Sequence, residues 1–266
     1  MLRARLATAA VAIPVLVWLI IWGPFWLFAG FVIAVTAIGL GEFANMALAD
    51  RPLGQGLTVL AGLVFAGAVI QRAPDSIGLA LLVVVAGGLL LSLFDPDMPG
   101  AAARLGNALV ASLYVGFFLP HVVSLRMLAH GERWVFFALA CAMGADTGGY
   151  FSGRFLGRTK LFPRVSPNKT VEGAFGALVG SVALAFFAYG VFPAPGLQPR
   201  TILALGFVNG ILAQAGDLIE SMLKRAYGAK DSGWIFPGHG GVLDRIDSLV
   251  LPFVFTYYLK AGLDLG

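Results

Sequence analysis

The sequence predicts an all-α fold, a polytopic transmembrane helical bundle with about nine membrane spans. Of its 266 residues, 59% are hydrophobic and only 12% are charged, whereas ordinary soluble domains contain about 45–50% apolar residues. Long apolar segments recur through the chain without the alternating pattern of a strand. Helices that satisfy their own backbone hydrogen bonds are therefore favoured over a barrel.

Hydrophobic runs interrupted by Gly, Pro or charge define each predicted span. The first run follows Arg3 and Arg5 and leads through Trp22 into the next one, so we interpret it as a retained span and not as a signal peptide. The third run is short and contains glycine, which leaves a re-entrant segment as an alternative. The predicted spans cover residues 6–22, 25–47, 57–71, 77–94, 104–128, 133–152, 171–193, 202–221 and 247–263.

The distribution of Lys and Arg predicts the orientation in the membrane. Thirteen of the 18 fall on the side of the amino terminus and five on the opposite side, and such an excess marks the cytoplasmic face. We expect a cytoplasmic amino terminus, with the connections 152–170 and 222–246 on the same side. Basic and aromatic residues are not interleaved along a surface, so nucleic acid is not an expected partner.

One polar stretch, residues 217–247, stands out between two apolar flanks. A charge near the centre of a membrane helix costs about 2.5–3.5 kcal/mol and by default marks a functional site. Glycines around His239 supply flexible backbone whose N–H groups can approach an anion closely. The charged residues of the stretch are Asp217, Glu220, Lys224, Arg225, Lys230, Asp231, Asp244, Arg245 and Asp247.

The spacing of these residues predicts polar faces on two neighbouring helices. Intervals of three and four place side chains on one helix face, and they connect Gly210, Gln214, Asp217, Ser221 and Lys224. Asp244, Asp247 and Ser248 repeat this spacing at the start of the last apolar segment. Carboxylates suit Mg²⁺, which takes one or two of them together with substrate phosphates, and neighbouring Lys and Arg suit phosphate.

Two further polar groups accompany this stretch. Asp146 shares a helix face with Cys141, Ala142, Ala145, Gly149 and Gly153, whose small side chains permit close helix approach. A structural role for Asp146, holding helices together, is the alternative to a role in a site. In the segment 166–173, Thr170 is a candidate cap for the next helix, and Lys169 beside that helix start suits an anion.

The motifs that carry a family resemblance lie in the second half of the chain. They are Ala145-Asp146-Thr147, Ser166-Pro167-Asn168-Lys169-Thr170, Ser221-Met222-Leu223-Lys224-Arg225, Lys230-Asp231-Ser232-Gly233, Pro237-Gly238-His239-Gly240-Gly241 and Asp244-Arg245-Ile246-Asp247. From about Ala140 onward, the sequence resembles the phosphatidate cytidylyltransferases, the CDP-diacylglycerol synthases. Gly149 stands where alanine is expected and Asn168 where lysine is frequent, and neither change removes a charged group.

The resemblance implies a nucleotidyltransferase that transfers cytidylyl from CTP to phosphatidic acid, forming CDP-diacylglycerol and pyrophosphate. It implies one integral membrane domain over 1–266, with amino-terminal spans to about residue 135 and a catalytic half from about residue 136. The expected location is the bacterial plasma (inner) membrane, with the active site facing the cytoplasm. CTP, phosphatidic acid and membrane lipids are the expected partners, and the sequence does not decide between a monomer and a homodimer.

We assign site residues on the combined evidence of chemistry, spacing and resemblance. The metal site is predicted to hold one or two Mg²⁺ ions on Asp217 and Asp244, with Asp146, Asp231 and Asp247 as weaker candidates. The catalytic set is Asp217, Lys224, Arg225, Asp244 and Arg245. The predicted substrate-binding residues are Asp146, Lys169, Ser221, Lys230, Asp231, His239, Gly240, Gly241 and Asp247.

Two other functions remain as alternatives at this point. A CTP-dependent kinase of a polyisoprenoid or phytol alcohol is related in chemistry, but an alcohol acceptor requires a general base. An ion-coupled secondary transporter could also carry carboxylates near the membrane midplane. A transporter of this kind is expected to show repeated halves, and the sequence shows its charges confined to one half.

Overall fold

The structure is a computed structural model that describes residues 14–49, 51–233 and 240–263. Nearly all of the described chain is helical. The helices are α1, whose described part covers residues 14–21, then α2 Phe25–Ala47, α3 Pro52–Gln71, α4 Pro74–Ser92, α5 Met98–Ala111, a π-helical turn Ser112–Phe117, α6 His121–Arg126, α7 Gly131–Phe155, α8 Val171–Val191, α9 Pro199–Ala226 and α10 Leu243–Leu263. Two short antiparallel strands, β1 Lys160–Phe162 and β2 Ser166–Thr170, form a hairpin between α7 and α8.

Six helical segments in the described chain are long and apolar enough to cross a membrane. They are α2, α3, α4, the continuous stretch Met98–Arg126, α8 and α9. The predicted helical membrane protein is thereby confirmed, while the predicted number of about nine spans is not. The third segment is a full helix of 20 residues, long enough to span about 30 Å, because it begins at Pro52 and not at residue 57.

Two helices, α7 and α8, are packed backbone against backbone. A Cβ atom added to Gly144 would collide with the carbonyl oxygen of Gly180 across the interface, and one added to Gly148 would collide with that of Gly176. The predicted small-residue face also contacts α8, since Gly149 and Gly153 lie beside Gly173, but the closest approach is at Gly144 and Gly148, one residue before Ala145 and Gly149. This packing holds the cavity-facing side of α7 rigidly beside α8, which is the usual way for membrane helices to gain packing energy without a hydrophobic driving force.

The amino-terminal helices pack against α9 and α10 around a cluster of buried apolar side chains. Leu40 and Phe43 of α2 and Val115 of the π-helical turn are buried together with Leu243 and Ile246 of α10. Polar contacts fasten the same interface, since the hydroxyl of Tyr114 donates to the carbonyl of Gly216 at 3.3 Å and that of Tyr227 donates to Asn107 at 3.1 Å. Burial raises the pKa of Tyr227, which keeps that hydroxyl available as a donor.

The connection between α7 and α8 is ordered by local hydrogen bonds. Thr170 accepts a hydrogen bond from the backbone N–H of Gly173 at 3.1 Å, which confirms the predicted helix cap. Glu172 turns back to accept from the N–H groups of Arg158 and Thr159 at 3.0 and 3.2 Å. Lys169 is therefore held on a short strand at the start of a helix and not on a free loop.

The helices that carry the regular spacing of polar residues are longer than their apolar runs. The predicted span 202–221 continues to Ala226, and the predicted span 247–263 begins at Leu243. A boundary drawn by hydrophobicity excludes charged residues, but here the charges on α9 and α10 pair with each other. The helices therefore continue through them, so that Lys224 and Asp244 lie on helices and not in a loop.

The packing of α7 on α8 predicts an effect of a single methyl group. We expect Gly148→Ala to lower the free energy of unfolding by about 1–3 kcal/mol, the usual cost of overpacking, because the new Cβ would strike the backbone at Gly176. The matched control is Gly67→Ala in α3, where no atom lies within 4 Å of an added Cβ. Thermal unfolding in detergent would show a lower Tm for Gly148→Ala alone, and equal Tm values would contradict this packing.

Candidate functional site

A cavity of about 680 Å³ opens between α7, β2, α8, α9 and α10. This volume lies within the range of about 300–1,000 Å³ that small-molecule sites occupy. Its walls combine the glycine face of α7 with the polar stripe of α9 that the residue spacing predicts. The described polar residues lining it are Asp146, Tyr150, Arg154, Asn168, Lys169, Thr170, Gln214, Asp217, Asp244 and Asp247.

The structure brings five of the predicted site residues to this one cavity. Asp146 comes from α7, Lys169 from β2, Asp217 from α9, and Asp244 and Asp247 from α10. Asp217 forms an ion pair with Lys169, with 2.7 Å between Oδ2 and Nζ. It also accepts a long hydrogen bond of 3.4 Å from the hydroxyl of Ser221. These contacts join β2 to α9, and the cavity collects the five side chains from four separate segments of the chain.

Ser248 links the carboxylates of α7 and α10. Its hydroxyl donates to Asp146 at 3.0 Å, and its backbone N–H donates to Asp247 at 2.7 Å. Asp146 and Asp217 are both near enough to Asp247 to interact with it electrostatically. Asp146 therefore joins two helices and also lines the cavity, while its role in binding stays a prediction.

Asp244 lies in the first turn of α10 and accepts four hydrogen bonds. Its Oδ2 receives the N–H and the hydroxyl of Ser232, at 3.0 and 2.9 Å, and the N–H of Gly241 at 2.8 Å. Its Oδ1 receives Lys224 at 2.5 Å. A carboxylate at a helix amino terminus is also favoured by the helix dipole, so both the position and the charge of Asp244 are fixed.

Lys224 occupies a different place from the one its sequence position suggests. The sequence places Lys224 just beyond the predicted span 202–221, where a lysine would be exposed and could contact phosphate directly. Instead its side chain is 13% exposed and lies between Glu220 and Asp244, at 2.6 and 2.5 Å. Glu220 is itself buried, and neither of its side-chain oxygens has a well-aligned hydrogen bond within the described residues, so the ion pair with Lys224 is what compensates its charge.

The remaining predicted residues lie around the cavity or outside the described chain. Arg225, Lys230, Asp231 and Arg245 are exposed, and none of these four is among the described residues that line the cavity. Arg245 is close enough to Asp146 to interact electrostatically. Gly240 adopts a positive φ of 77°, and Gly241 donates to Asp244. His239 lies outside the described residues.

Sequence reasoning missed several residues of this region. Tyr150, Arg154 and Gln214 line the cavity, and Glu42 of α2 accepts hydrogen bonds at the start of α10. Gln214 was placed on the polar stripe but given no role. The signal for Glu42 was present, because a charged residue inside an otherwise apolar span marks a functional position. The contact itself connects residues 200 positions apart, which no local pattern reveals.

The charge balance of the cavity suits a divalent cation. Its described lining contains four carboxylates, on Asp146, Asp217, Asp244 and Asp247, against two cationic side chains, on Arg154 and Lys169. Such an acidic cavity would repel a phosphate ligand unless a cation accompanied it. Within the described part of the chain, however, no three His, Cys, Asp or Glu side chains converge closely enough to hold a metal by themselves. A metal here would need ligands from the substrate, as is usual for Mg²⁺.

The fold and the site together define a class of protein. Apolar helices that enclose carboxylates and lysine in a cavity make this chain an integral membrane protein with a binding site for a charged ligand. The sequence matches the model of the cytidylyltransferase family over residues 3–261. The chain therefore belongs to the cytidylyltransferase family.

Individual relatives support the same placement. The phosphatidate cytidylyltransferase of Brucella suis is 34% identical over 98% of this chain and 93% of its own length. The phosphatidate cytidylyltransferase of Bacillus subtilis is 40% identical over 161 residues, which are 59% of each chain. That of Staphylococcus epidermidis is 40% identical over 55% of this chain and 56% of its own.

The ion pairs of Lys224 predict a structural consequence of its removal. Lys224→Met leaves Glu220 and Asp244 uncompensated, with side chains only 3% and 9% exposed, and we expect a loss of about 3–5 kcal/mol of stability. The matched control is Arg225→Met, because Arg225 is exposed and, within the described residues, donates only to the carbonyl of Ala229. Thermal unfolding of both variants is the measurement, and an unchanged Tm for Lys224→Met would contradict the buried role.

Proposed function

We propose that this protein transfers the cytidylyl group of CTP to phosphatidic acid and releases pyrophosphate. The observation that carries the proposal is a cavity of about 680 Å³, lined by carboxylates, Lys169 and Arg154, inside a member of the cytidylyltransferase family. A related protein over nearly the whole chain bears the name phosphatidate cytidylyltransferase. A cavity near the ends of membrane helices suits a reaction between a lipid phosphate and a soluble nucleotide.

The reaction requires no covalent intermediate with the protein. A phosphate oxygen of phosphatidic acid attacks the α-phosphorus of CTP and forms a new P–O bond. The bond between the α-phosphorus and the oxygen that bridges it to the β-phosphate breaks. The leaving group is pyrophosphate, and the product is CDP-diacylglycerol. Because the lipid phosphate is already ionised near neutral pH, no general base is needed, and the main barrier is repulsion between two anions.

Different basic residues would bind, support or attract the phosphate groups of CTP and phosphatidic acid. Lys169 and Arg154 are the cationic side chains of the lining and would contact phosphate oxygens. Lys224 would act indirectly, because it is not among the described lining residues of the cavity and instead holds Asp244 in place through an ion pair. Three further cations are exposed outside the described lining of the cavity, namely Arg225, Lys230 and Arg245. Their charges would attract the nucleotide over a Debye length, which is about 8 Å at physiological salt.

The protein would bind one or two Mg²⁺ ions at Asp217 and Asp244, with Asp247 beside them. This part of the proposal is supported by the acidic excess of the cavity and by the oxygen chemistry of the carboxylates. Oδ1 of Asp244 has Lys224 as its one hydrogen-bond donor among the described residues, so it retains a lone pair for a ligand. Bound there, Mg²⁺ would neutralise phosphate charge and orient the leaving group.

The orientation in the membrane follows from the charge asymmetry and the substrate. We count α1, α7 and α10 as spans in addition to the six apolar ones, which gives about nine. The amino terminus, the hairpin after α7 and the end of α9 would then face the cytoplasm of a bacterial cell, where CTP is made. The cavity is lined by residues of the hairpin and of the start of α10, and it would then face the same side. The number of copies in the assembly stays open in this proposal.

The direct test of the function uses purified protein, phosphatidic acid and CTP labelled in its α-phosphate. We expect label to appear in a lipid product and to require Mg²⁺. In the same assay, Asp217→Asn and Asp244→Asn should each lose at least about 100-fold in rate, because a bound metal contributes several kcal/mol. The double variant should be no worse than either single one, since the two residues act as a unit.

Controls separate catalysis from folding in this assay. Asp75→Asn replaces an exposed carboxylate in the first turn of α4 and should leave the rate unchanged. The Tm of every variant is measured on the same preparation, because Asp244→Asn also weakens the pair with Lys224. Transfer of label from the γ-phosphate instead of the α-phosphate would identify a kinase, and a fully active, well-folded Asp217→Asn would exclude the metal site.

The orientation is tested by labelling cysteines in intact cells with an impermeant thiol reagent. On a Cys141→Ala background, cysteine at Arg158 or Ala226, both exposed, should react only after the membrane is permeabilised. Cysteine at Gln198, exposed on the connection before α9 at the opposite end of that helix, should react in intact cells. The reverse pattern would invert the topology while leaving the proposed chemistry intact.

A further inference from the structure

Glu42 is a buried carboxylate that the reaction scheme does not use. It lies in α2, in a helix with no other charged residue, and it is 6% exposed. Burial of a carboxylate is costly unless several donors surround it. Its position in the amino-terminal half, far from the family motifs in sequence, makes its contacts with those motifs informative.

Its hydrogen bonds within the described residues all reach α10 and the segment before it. Oε1 accepts from the N–H of Val242 at 2.9 Å, and Oε2 accepts from the N–H of Leu243 at 2.9 Å. Oε2 also lies 3.1 Å from the hydroxyl of Ser232, whose one proton it shares with Asp244. Both oxygens act as acceptors, as in an ionised carboxylate, and the charge lies at the amino terminus of α10, where the helix dipole favours it.

Ser232 connects Glu42 to the cavity. Its hydroxyl is placed between Oε2 of Glu42 and Oδ2 of Asp244, at 3.1 and 2.9 Å. The carboxylate is packed closely against Gly233 and Gly241, where an added Cβ atom would collide with it. Glu42 thus contacts the start of α10 directly and the side chain of Asp244 through Ser232.

We infer that Glu42 is a positioning residue for the cytidylyl transfer, acting on Asp244 from outside the cavity. Reactive groups must be held within about 0.5 Å of their productive geometry, and this precision comes from residues that support them. Because Asp244 and Asp247 lie three residues apart on one face of α10, a shift of the helix start would move both relative to Asp217. The inference rests on the proposed function in so far as Asp244 serves the reaction.

The alternative is that Glu42 only stabilises the fold as a remote helix cap. The two roles differ in what a substitution changes. A purely structural residue lowers the Tm and the amount of folded protein, whereas a positioning residue lowers kcat per folded molecule and weakens the dependence on Mg²⁺. The KM for phosphatidic acid should change in neither case, because no described lining residue of the cavity comes from α2.

The test compares Glu42→Gln with Thr36→Val. Glutamine keeps the shape but turns an N–H donor toward the donors of α10, and we expect kcat to fall about 10–100-fold, as for other residues that orient ligands. The Mg²⁺ concentration for half-maximal activity should rise. Thr36 is the matched control, since it is fully buried in the same helix and its hydroxyl, within the described part of the chain, donates only to Val32 of α2. Its replacement should leave kcat and the Mg²⁺ dependence unchanged.

Ser232→Ala keeps the inference testable if Glu42→Gln does not fold. It removes the link between the two carboxylates and leaves the backbone contacts of Glu42 in place, so a smaller loss of kcat with the same shift in Mg²⁺ dependence is expected. Combined with Glu42→Gln it should add less than the sum of the separate effects. Wild-type kcat and Mg²⁺ dependence in a folded Glu42→Gln protein, or in Ser232→Ala, would overturn the inference.

A second readout does not depend on activity. Hydrogen exchange at the amides of Val242 and Leu243 should be faster in Glu42→Gln than in the unmodified protein and unchanged in Thr36→Val. If the unmodified protein transfers no label from CTP, the proposed function fails, and the exchange rates still decide whether Glu42 holds the helix start. Unchanged exchange in Glu42→Gln would refute that contact whatever the activity is.

Discussion

An ionised carboxylate inside an apolar helix bundle must collect donors from several directions, and Asp244 does so from three parts of the chain. Lys224 approaches from α9, Ser232 from the connecting segment, and Gly241 from the residues just before α10. Removing a charged group from water costs several kcal/mol, which good geometry and further hydrogen bonds must offset. The angle between α9 and α10, and with it the shape of the cavity, depends on this one group being satisfied.

On the opposite wall of the cavity, α7 and α8 are held by close backbone contact, since glycines let the two helices touch. Contacts of this kind have little freedom to relax because backbone atoms lie on both sides. Asp146 on α7 and Lys169 before α8 are thus presented by a stiff pair of helices. Polar contacts of both residues cross to α9 and α10, beside an apolar cluster that includes Ala145 and Ala213.

Sequence reasoning succeeded where the signal was local. Apolar runs located the helices, spacing of three and four placed Gln214, Asp217 and Ser221 on one face, and Thr170 was recognised as a cap. It erred at the helix ends on both sides of the polar stretch, because hydrophobicity ends a span at the first charge even when that charge has a partner on another helix. Lys224 shows the same limit, since nothing in its neighbours distinguishes an exposed phosphate contact from an ion pair buried against Glu220 and Asp244.

The bond from Val242 to Glu42 bridges 200 positions of the chain, and this separation has a consequence for biosynthesis. Contacts between distant residues form late, because the loop between them must close first, and a membrane protein enters the bilayer from its amino terminus. Glu42 is therefore inserted long before its donors exist and remains uncompensated until α10 arrives. The cavity is completed only when α10 has joined the other helices, so a nascent chain that lacks α10 also lacks a complete cavity.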